Sequence, residues 1–571
     1  MRAERGASQI LFGFLPQQTA DLDGGVWRVS SWVDAVPLDI DKAAVRAAVS
    51  SALSRWSDVG KDDGLKAELL HNADFDVVGV HPERGVLMEE FPRVWRCRTC
   101  HRVDSSSARC RCGSTNKVQI PLVSYHECGA VTEPQLPQCP THHEIAMERR
   151  GTTALSELRF FCPVCHQTIK WGFVPRRCSC GSADPVMKTT VHRAASVYSP
   201  HFAVAVNAPD PALAARMRAA GGGARAAEWV LSGMPTADPF SGRQTVAGMV
   251  AGLVAMGLSQ ETAREFSAQA ASRGEVDSGE GGTWGEGLTN KVREEAEEEA
   301  LSLATAVAGG RVTLDELKAY ATPPLRTQYE AGYEAAVARG GLEAVDLLTS
   351  FPVLTVAFGY SRDSFKDEPS RLVPFRERGR LRLLGAVNRT EALLFRLNPT
   401  TVLEWLARRG VCAASDEARA NPRLALLSAY RASNPRENPI AVDFDRELYR
   451  LLHSFSHRTI RRLAAFAGIE RDGLSEYLLP AHLSFVVYAA ARGDFVLGGL
   501  QAVFETALDS FLEDVVGGEA RCALDPGCRA GGGACMACLH LGEPSCRWFN
   551  GLLDRDVLFG ESGYLIGAIA P

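Results

Sequence analysis

The spacing of apolar residues over positions 1–90 switches between strand-like and helical patterns. Short apolar or alternating runs predict strands at 26–33, 75–80 and 85–88, and a helical period predicts a helix over 42–56. We therefore expect this first segment to be a mixed N-terminal region, and none of its residues has an obvious catalytic role.

The pattern is mainly helical over residues 191–350. An alternating run over 197–206 predicts one strand, and an alanine-rich helical stretch follows it. Thr313 and Glu316 have the spacing of a capping box, which predicts the start of a helix, and residues 330–350 predict a further helix. We expect this segment to be a mostly helical middle region.

Residues 351–571 show a mixed pattern. Apolar runs predict strands at 352–358, 381–384 and 391–397, while apolar residues at helical spacing predict one amphipathic helix over 445–467. This last segment is therefore expected to be a mixed α/β C-terminal module. The whole chain is predicted to be a multidomain α+β protein.

The remaining segment, residues 91–190, is marked by cysteine pairs at short spacing. A C-x2-C pair followed by a C-x-C-G pair occurs twice, which predicts tandem zinc ribbons with four thiolate ligands each. The glycine after each C-x-C pair is expected to adopt the left-handed conformation that so tight a turn requires. The two predicted ligand sets are Cys97, Cys100, Cys110 and Cys112, and Cys162, Cys165, Cys178 and Cys180.

Further cysteines and histidines lie between the two predicted ribbons. His126, Cys128, Cys139 and His142, with His143 beside the last, have a spacing compatible with a third site of two thiolates and two imidazoles. Buried cysteines and surface histidines are also common without a metal, so this mixed set is the less specific signal.

The last cysteines surround another C-x2-C pair. Cys528, Cys535, Cys538 and Cys546 bracket that pair most compactly and are the predicted ligands of a C-terminal zinc site, with Cys522 as a spare or alternate ligand. Counting the two ribbons, this cluster and the mixed set, we expect about three to four bound Zn²⁺ ions.

Disulfides are the alternative to zinc, but they require an oxidising compartment. The sequence shows no export signal and no apolar run long enough to span a membrane, so we expect a cytoplasmic protein with reduced thiols. Sites with four protein ligands leave no open position for a reactive water. We therefore expect them to shape the fold and not to catalyse a reaction.

The charge of the chain limits how it can bind nucleic acid. A net charge of -6 gives no general attraction to phosphates, so any DNA contact must be local. Arg458, Arg461 and Arg462 on the predicted 445–467 helix are candidate DNA contacts, although a solvated helix face is an equally good interpretation.

Two histidines lie four residues apart on the same predicted helix. His453 and His457 can share a metal at this spacing, but the protease motif H-E-x-x-H needs a glutamate where this chain has Ser454. We favour burial of these histidines at a helix interface.

The C-terminal sequence resembles a known family. The run 533–555 is similar to the signature that closes the DrmB family of DISARM antiphage systems, and the run 451–457 resembles the paired-histidine helix of that family. Gly498-Gly499 resembles the glycine pair that follows, and the same module is similar to the zinc-binding domain of Mrf-type helicases. One difference is that Gly13-Phe-Leu-Pro16 replaces the family's glycine-proline-glycine turn. The resemblance implies a subunit that pairs with a DrmA-like helicase subunit on DNA and has no established catalytic residues.

Missing motifs favour a non-enzymatic protein. The chain has no G-x4-G-K-[ST] loop and no paired H-x-K motif of the phospholipase D type, and Glu316-Leu-Lys318 only faintly resembles a nuclease motif. The alternatives are a DNA-processing enzyme such as a nuclease, or a stand-alone zinc-ribbon DNA-binding protein. No small-molecule substrate and no membrane partner are indicated.

Overall fold

The computed structural model describes residues 2–569 with gaps. The gaps are 41, 54–55, 57–60, 72–73, 82, 150–153, 207–210, 237, 241–245, 256–257, 273–283, 364–369, 434–442, 491–497, 518–520, 543–544 and 547–549. The described elements mix helices and strands, so the predicted α+β class is confirmed.

Contacts divide the chain into two compact units. The N-terminal unit comprises Met1–Ala205 and Leu354–Val387, and the C-terminal unit comprises Val206–Val353 and Asn388–Pro571. Each unit combines stretches that are far apart in sequence. The division into segments 1–90, 91–190, 191–350 and 351–571 stays a prediction.

The N-terminal unit contains two larger sheets with helices packed on them. The helix predicted over 42–56 begins at Lys42 and ends at Ala52, and Val45 and Val49 on its inner face are fully buried. The other helices are Ala7–Gly13, Leu65–Leu70 and the 3-10 turn Leu155–Glu157.

The first sheet of this unit consists, in spatial order, of Arg2–Ala3, Val86–Glu90, Gly25–Trp32 and Thr19–Leu22. The strands of this unit that belong to the second sheet are residues 199–205 of Ser199–Val206, residues 354–361 and 380–387, Val36–Pro37, Asp76–Gly79, Leu372–Pro374 and Arg376–Glu377.

Three small antiparallel sheets in the same unit carry the cysteine pairs. Their strands are Trp95–Cys97, Val103–Asp104 and Lys117–Gln119; Leu122–Tyr125, Val131–Thr132 and Lys188–Val191; and Ala146–Glu148, Arg159–Phe161 and Thr168–Trp171. Only a few apolar residues, among them Val103, Leu122 and Phe160, are buried between these strands. So small a core gives limited stability, and small domains commonly add a metal or a disulfide to compensate.

A fully buried arginine links one small sheet to the second larger sheet of this unit. Arg362 Nε donates to the carbonyl oxygen of Gly129 over 2.8 Å, and its other nitrogens donate to the carbonyl oxygens of Val197 and Gln17. Lys188 also pairs with Asp363, with 2.7 Å between Nζ and Oδ2. These contacts fix the position of the turn at Gly129.

The C-terminal unit places helices on an antiparallel sheet. Its strands are Arg311–Val312, residues 342–353 of Leu342–Ser361, residues 388–397 of Arg380–Leu397, Leu474–Leu479 and Ser484–Ala489. Its helices are Pro211–Ala219, Gly222–Leu231, Val246–Ala255, Gln260–Ser272, Asn290–Ala308, Leu314–Tyr320, Pro323–Gln328, the π-helical turn Tyr329–Tyr333, Glu334–Arg339, Pro399–Arg408, Asp416–Ala420, Pro422–Ala429, Phe444–Ala467, Arg471–Gly473, Pro480–His482, Gly499–Thr506, Leu508–Gly517, Gly527–Ala530, Asp556–Phe559 and Tyr564–Ile569. Every helix among the described residues is too short or too polar to span a bilayer.

The helix predicted over 330–350 is wrong in its second half. The helix ends at Arg339, and a strand begins at Leu342. Gly341 has a φ of 64°, and a Cβ atom there would lie 2.7 Å from the ring of Tyr564, so the chain turns where only glycine fits.

The predicted helix over 445–467 is present as Phe444–Ala467 and forms the centre of the C-terminal unit. Asp443 caps its first turn by accepting a hydrogen bond from the amide of Arg446, and Gly468 ends it with a φ of 67°. Leu448, Leu452, Phe455 and Leu463 of its apolar stripe are buried as expected, whereas Phe466 near its end is 38% exposed. Polar residues on its other faces, including His453 and His457, are also fully buried.

Candidate metal centres

Three ligand pairs lie in one kind of turn. The sequence is Cys-x2-Cys or Cys-x2-His, and the next residue adopts a left-handed conformation. These residues are His101, His143 and His166, with φ angles of 63°, 54° and 57°. Their amides donate to the carbonyl oxygen of the first ligand over 3.0, 2.9 and 2.9 Å. The pairs are Cys97 and Cys100, Cys139 and His142, and Cys162 and Cys165.

Three further pairs lie in a shorter turn that ends in glycine. Gly113 and Gly181 have φ angles of 88° and 77°, which confirms the left-handed glycine predicted after each C-x-C pair. Gly129, with a φ of 94°, follows His126-x-Cys128 in the same way. The glycine therefore marks a third turn of this kind, in which a histidine replaces the first cysteine.

The first group is the one predicted from spacing. Cys97, Cys100, Cys110 and Cys112 each offer a sulfur, and these atoms lie within 4.8 Å of one another. Cys97 Sγ is 3.7 Å from Cys112 Sγ, and Cys100 Sγ is 3.5 Å from Cys110 Sγ.

The second predicted ribbon and the mixed set are not separate groups. The predicted set of Cys162, Cys165, Cys178 and Cys180 is divided between two groups, and so is the mixed set of His126, Cys128, Cys139 and His142. The observed groups are His126, Cys128, Cys178 and Cys180, and Cys139, His142, Cys162 and Cys165. Along the chain, the group from Cys139 to Cys165 lies inside the span of the group from His126 to Cys180. These are called the inner and the outer group.

Strand pairing explains the nested arrangement. Leu122–Tyr125 pairs with Lys188–Val191, which brings the pair that follows Tyr125 close to the pair that precedes Lys188. Ala146–Glu148 pairs with Arg159–Phe161 and does the same for the inner group. Spacing along the chain cannot reveal that strands more than sixty residues apart pair with each other. In each of the two groups, however, the two ligand pairs lie in turns of the same kind.

The C-terminal group differs from the prediction by one residue. Cys522, Cys528, Cys535 and Cys538 lie together, so Cys522 is a member and Cys546 is not. Cys522 Sγ is 3.5 Å from Cys535 Sγ, and Cys528 Sγ is 3.7 Å from Cys538 Sγ. The amide of Cys522 donates to Asp525 Oδ2 over 2.9 Å, and Asp525 forms an ion pair with the buried Arg555. Together these two contacts hold Cys522 in place.

The distances in these four groups fit metal ligation and exclude disulfides. The sulfur pairs in direct contact in three of the groups are 3.5–3.7 Å apart, and all sixteen cysteines are free. A tetrahedral zinc with Zn–S bonds of 2.3 Å separates its sulfur ligands by about 3.8 Å. Cys139 and Cys162 each place Sγ 3.5 Å from His142 Nδ1. Ligand sets of three or four sulfurs, completed where needed by one imidazole, match structural zinc sites.

The neighbouring thiols of the first group differ in how readily they ionise. Burial raises the pKa of Cys97, but hydrogen bonds from the backbone amides of Cys100 and Thr99 outweigh this effect and lower it to about 6. Burial and the neighbouring thiols raise the pKa of Cys100 to about 12. A bound cation removes the repulsion between thiolates and lets all four ionise, which is why metal binding releases protons.

The predicted DNA-contact arginines have partners inside the protein. Arg458 is 7% exposed, and its Nε donates to the carbonyl oxygen of Val515 over 3.1 Å. Arg461 donates to the carbonyl oxygens of three residues of the cysteine-rich loop, Met536, Ala537 and His540. Arg462 lies 3.5 Å from a carboxylate oxygen of Asp514. Contact of Arg458 with DNA is thus disfavoured, and contact by the other two stays a prediction.

Cys546 lies in a different group, with His453, His457 and Glu476. Glu476 is the one residue of this group that the sequence analysis missed. It lies on the strand Leu474–Leu479, and nothing in the spacing of the ligands marks it. The described residues thus contain five groups of ligand-type atoms, against about three to four predicted zinc ions.

These features define an α+β protein with several cysteine and histidine groups able to hold metal ions. Residues 6–206 match the model of a family described as a domain of unknown function, DUF8724. The chain is also 25% identical over 224 residues to the DISARM protein DrmB of Bacillus paralicheniformis, a match that covers 36% of this chain and 38% of that protein. The resemblance to DrmB predicted from the C-terminal motifs is confirmed as a similarity, one that spans well under half of that relative.

Proposed function

We propose that this chain is a metal-stabilised, non-enzymatic subunit of a DISARM-type antiphage defence complex, and that it pairs with a helicase and helps it bind DNA. The observation that carries the proposal is the similarity to the DISARM protein DrmB. The helicase partner comes from the resemblance of the C-terminal motifs to that family. The non-enzymatic role is supported by ligand groups that supply four protein atoms each and so leave no position for a reactive water.

The distribution of charge supports DNA contact by the small sheets. Residues 91–190 contain 14 Lys and Arg against 7 Asp and Glu, whereas the whole chain has a net charge of -6. Ten thiolates and three Zn²⁺ ions in this segment would lower its charge from +7 to roughly +3, which is still positive. The segment is therefore the part of the chain best suited to attract phosphates.

Exposed side chains on this segment are of the types that bind nucleic acid. Arg98, Arg109 and Arg177 are exposed, each close in sequence to a ligand turn. Trp171 is 50% exposed beside the exposed Lys170. Arginine forks onto phosphate oxygens, and an exposed indole ring can stack on an unpaired base, so these residues suit a DNA surface that includes single-stranded regions.

The test replaces the three exposed arginines together. In the Arg98→Gln, Arg109→Gln, Arg177→Gln variant we expect weaker DNA binding, and the slope of log K against log salt should become shallower by about 0.9 for each phosphate that the protein no longer neutralises. Titration of a fluorescent duplex with a single-stranded tail at two salt concentrations measures both quantities. The matched control replaces Arg218, Arg264 and Arg408, which are exposed arginines of the C-terminal unit. An equal decrease in affinity for the two triple variants would contradict DNA contact by the small sheets.

A further inference from the structure

The core of the C-terminal unit contains a group of four ionisable side chains that belongs to none of the ribbon-like centres. His453 and His457 come from the helix Phe444–Ala467, Glu476 from the strand Leu474–Leu479, and Cys546 from the segment after the last C-x2-C pair. The two histidine side chains are 0% exposed, that of Glu476 is 1% exposed, and Cys546 is 1% exposed.

The distances between their donor atoms are those of metal ligands. His453 Nε2 lies 3.2 Å from Glu476 Oε1 and 3.3 Å from Cys546 Sγ, and His457 Nε2 lies 3.2 Å from the same carboxylate oxygen. One atom from each residue lies within 4.8 Å of the other three. In a tetrahedron with bonds of 2.0–2.3 Å, ligand atoms are about 3.3–3.8 Å apart.

Neighbouring groups orient three of the four side chains towards a common point. His457 Nδ1 donates to the carbonyl oxygen of Leu539 over 2.8 Å, which leaves the lone pair of Nε2 facing the group. Ser456 Oγ donates to the second oxygen of Glu476, and the amide of Asn550 donates to Cys546 Sγ over 3.3 Å. His453 is held by packing, with its ring 5.8 Å from that of Tyr449 in an edge-on arrangement.

Two other roles fit the group less well. A thiol, an imidazole and a carboxylate in contact can form a nucleophilic centre, but a substrate cannot reach atoms buried to this degree. A buried network of His–Glu ion pairs without a metal is also costly, since each ion loses its hydration and must be compensated by its neighbours.

We propose that His453, His457, Glu476 and Cys546 bind one Zn²⁺ ion in a closed structural site. This site joins the long helix to the strand Leu474–Leu479 and to the C-terminal segment. Its ligands have mixed chemistry, with two nitrogens, one oxygen and one sulfur, unlike the sulfur-rich centres.

Metal analysis of single and double variants tests the assignment. We expect the wild-type chain to contain about five zinc ions, one for each group. Cys546→Ser and Cys538→Ser should each lose one zinc, and the double variant should lose two, because the residues belong to different sites. Cys412→Ser, a change at a half-buried cysteine outside the five groups, should lose none.

The double variant is the decisive measurement. If Cys546 were a ligand of the four-cysteine group, each single variant and the double variant would lose the same one zinc. Retention of all zinc by Cys546→Ser would also overturn the proposal. The native mass spectrum of the wild-type protein needs no variant and gives a second measurement, in which four zinc ions or fewer would contradict the site even if Cys546→Ser failed to fold.

Discussion

Gly113 and Gly129 occupy equivalent positions in two ligand turns but have different surroundings. Their φ angles are 88° and 94°, so both are left-handed. A Cβ atom on Gly113 would meet nothing within 4 Å, whereas a Cβ atom on Gly129 would lie 2.7 Å from Val373 Cγ2. The first glycine is required by the backbone alone, and the second also by the close approach of the turn to the strand Leu372–Pro374.

We expect Gly129→Ala to destabilise the N-terminal unit more than Gly113→Ala. Both changes incur the cost of a left-handed alanine, about 1–2 kcal/mol. Only Gly129→Ala also forces Val373 to move. Thermal melting followed by circular dichroism, together with the zinc content of each variant, measures the difference. Equal melting temperatures for the two variants would show that the turn at Gly129 is not packed as described.

At this scale the sequence identified the ligand types but not all of their partners. Cys97, Cys100, Cys110 and Cys112 could be grouped because the whole set is local in sequence. Cys178 could not be assigned to His126, since strand pairing and not spacing brings them together. Glu476 could not be found at all, because a carboxylate on a strand has no ligand motif.

Glu391 caps the helix Gly499–Thr506 from a neighbouring strand. Its Oε1 accepts hydrogen bonds from the amides of Gly498 and Leu500 over 3.0 and 3.1 Å, and its Oε2 accepts one from Gln501 over 3.1 Å. A Cβ atom on Gly499 would lie 2.7 Å from the carbonyl oxygen of Ala467, so the helix begins against the end of the long helix. The glycine pair noted in the sequence thus permits close packing and a buried carboxylate cap.

Glu391→Gln should lower the free energy of unfolding of the C-terminal unit by about 1–2 kcal/mol, since an amide replaces a charged cap at the positive end of a helix. Urea denaturation monitored by tryptophan fluorescence is the measurement. Glu294→Gln, at an exposed position of the helix Asn290–Ala308, should have no measurable effect. A similar midpoint for both variants and the wild type would exclude the capping role.

At the scale of elements, local sequence patterns predicted helices and strands correctly where the apolar pattern continued without interruption. The helix Phe444–Ala467 and the strands containing 352–358 and 391–397 were predicted from their period. The helix predicted over 330–350 was extended too far, because Ala and Glu around residue 343 suit a helix while Gly340-Gly341 ends it. Pairing with other strands, which is not a local property, decides the conformation from Leu342 onwards.

At the scale of the whole molecule, the proposed role requires a partner. A chain with a net charge of -6 gains little from general attraction to phosphates, so we expect its own DNA affinity to be modest and to fall steeply with salt. If the proposal holds, co-expression with a DrmA-like helicase from the same genome should give one complex on size exclusion, and this complex should bind DNA more tightly than the chain alone. Separate elution of the two proteins, or an unchanged DNA affinity, would contradict the partnership.

The two compact units could not be predicted from the sequence. Composition suggested a boundary near residue 350, but contacts join Leu354–Val387 to residues that precede Val206. Two long strands, Leu342–Ser361 and Arg380–Leu397, each contribute residues to both units. A sequence pattern shows that such strands exist, but it does not show their partners, which include a strand as far away in the chain as Asp76–Gly79, paired with residues 382–384.

The nested ribbons also impose an order on biosynthesis. His126 and Cys128 leave the ribosome first, but their partners Cys178 and Cys180 follow only after the whole inner group, Cys139 to Cys165, has been synthesised. The inner group can therefore capture its metal while the outer one is still half made. Once folded, the inner segment no longer behaves as a flexible loop, which reduces the entropy lost when the outer group closes.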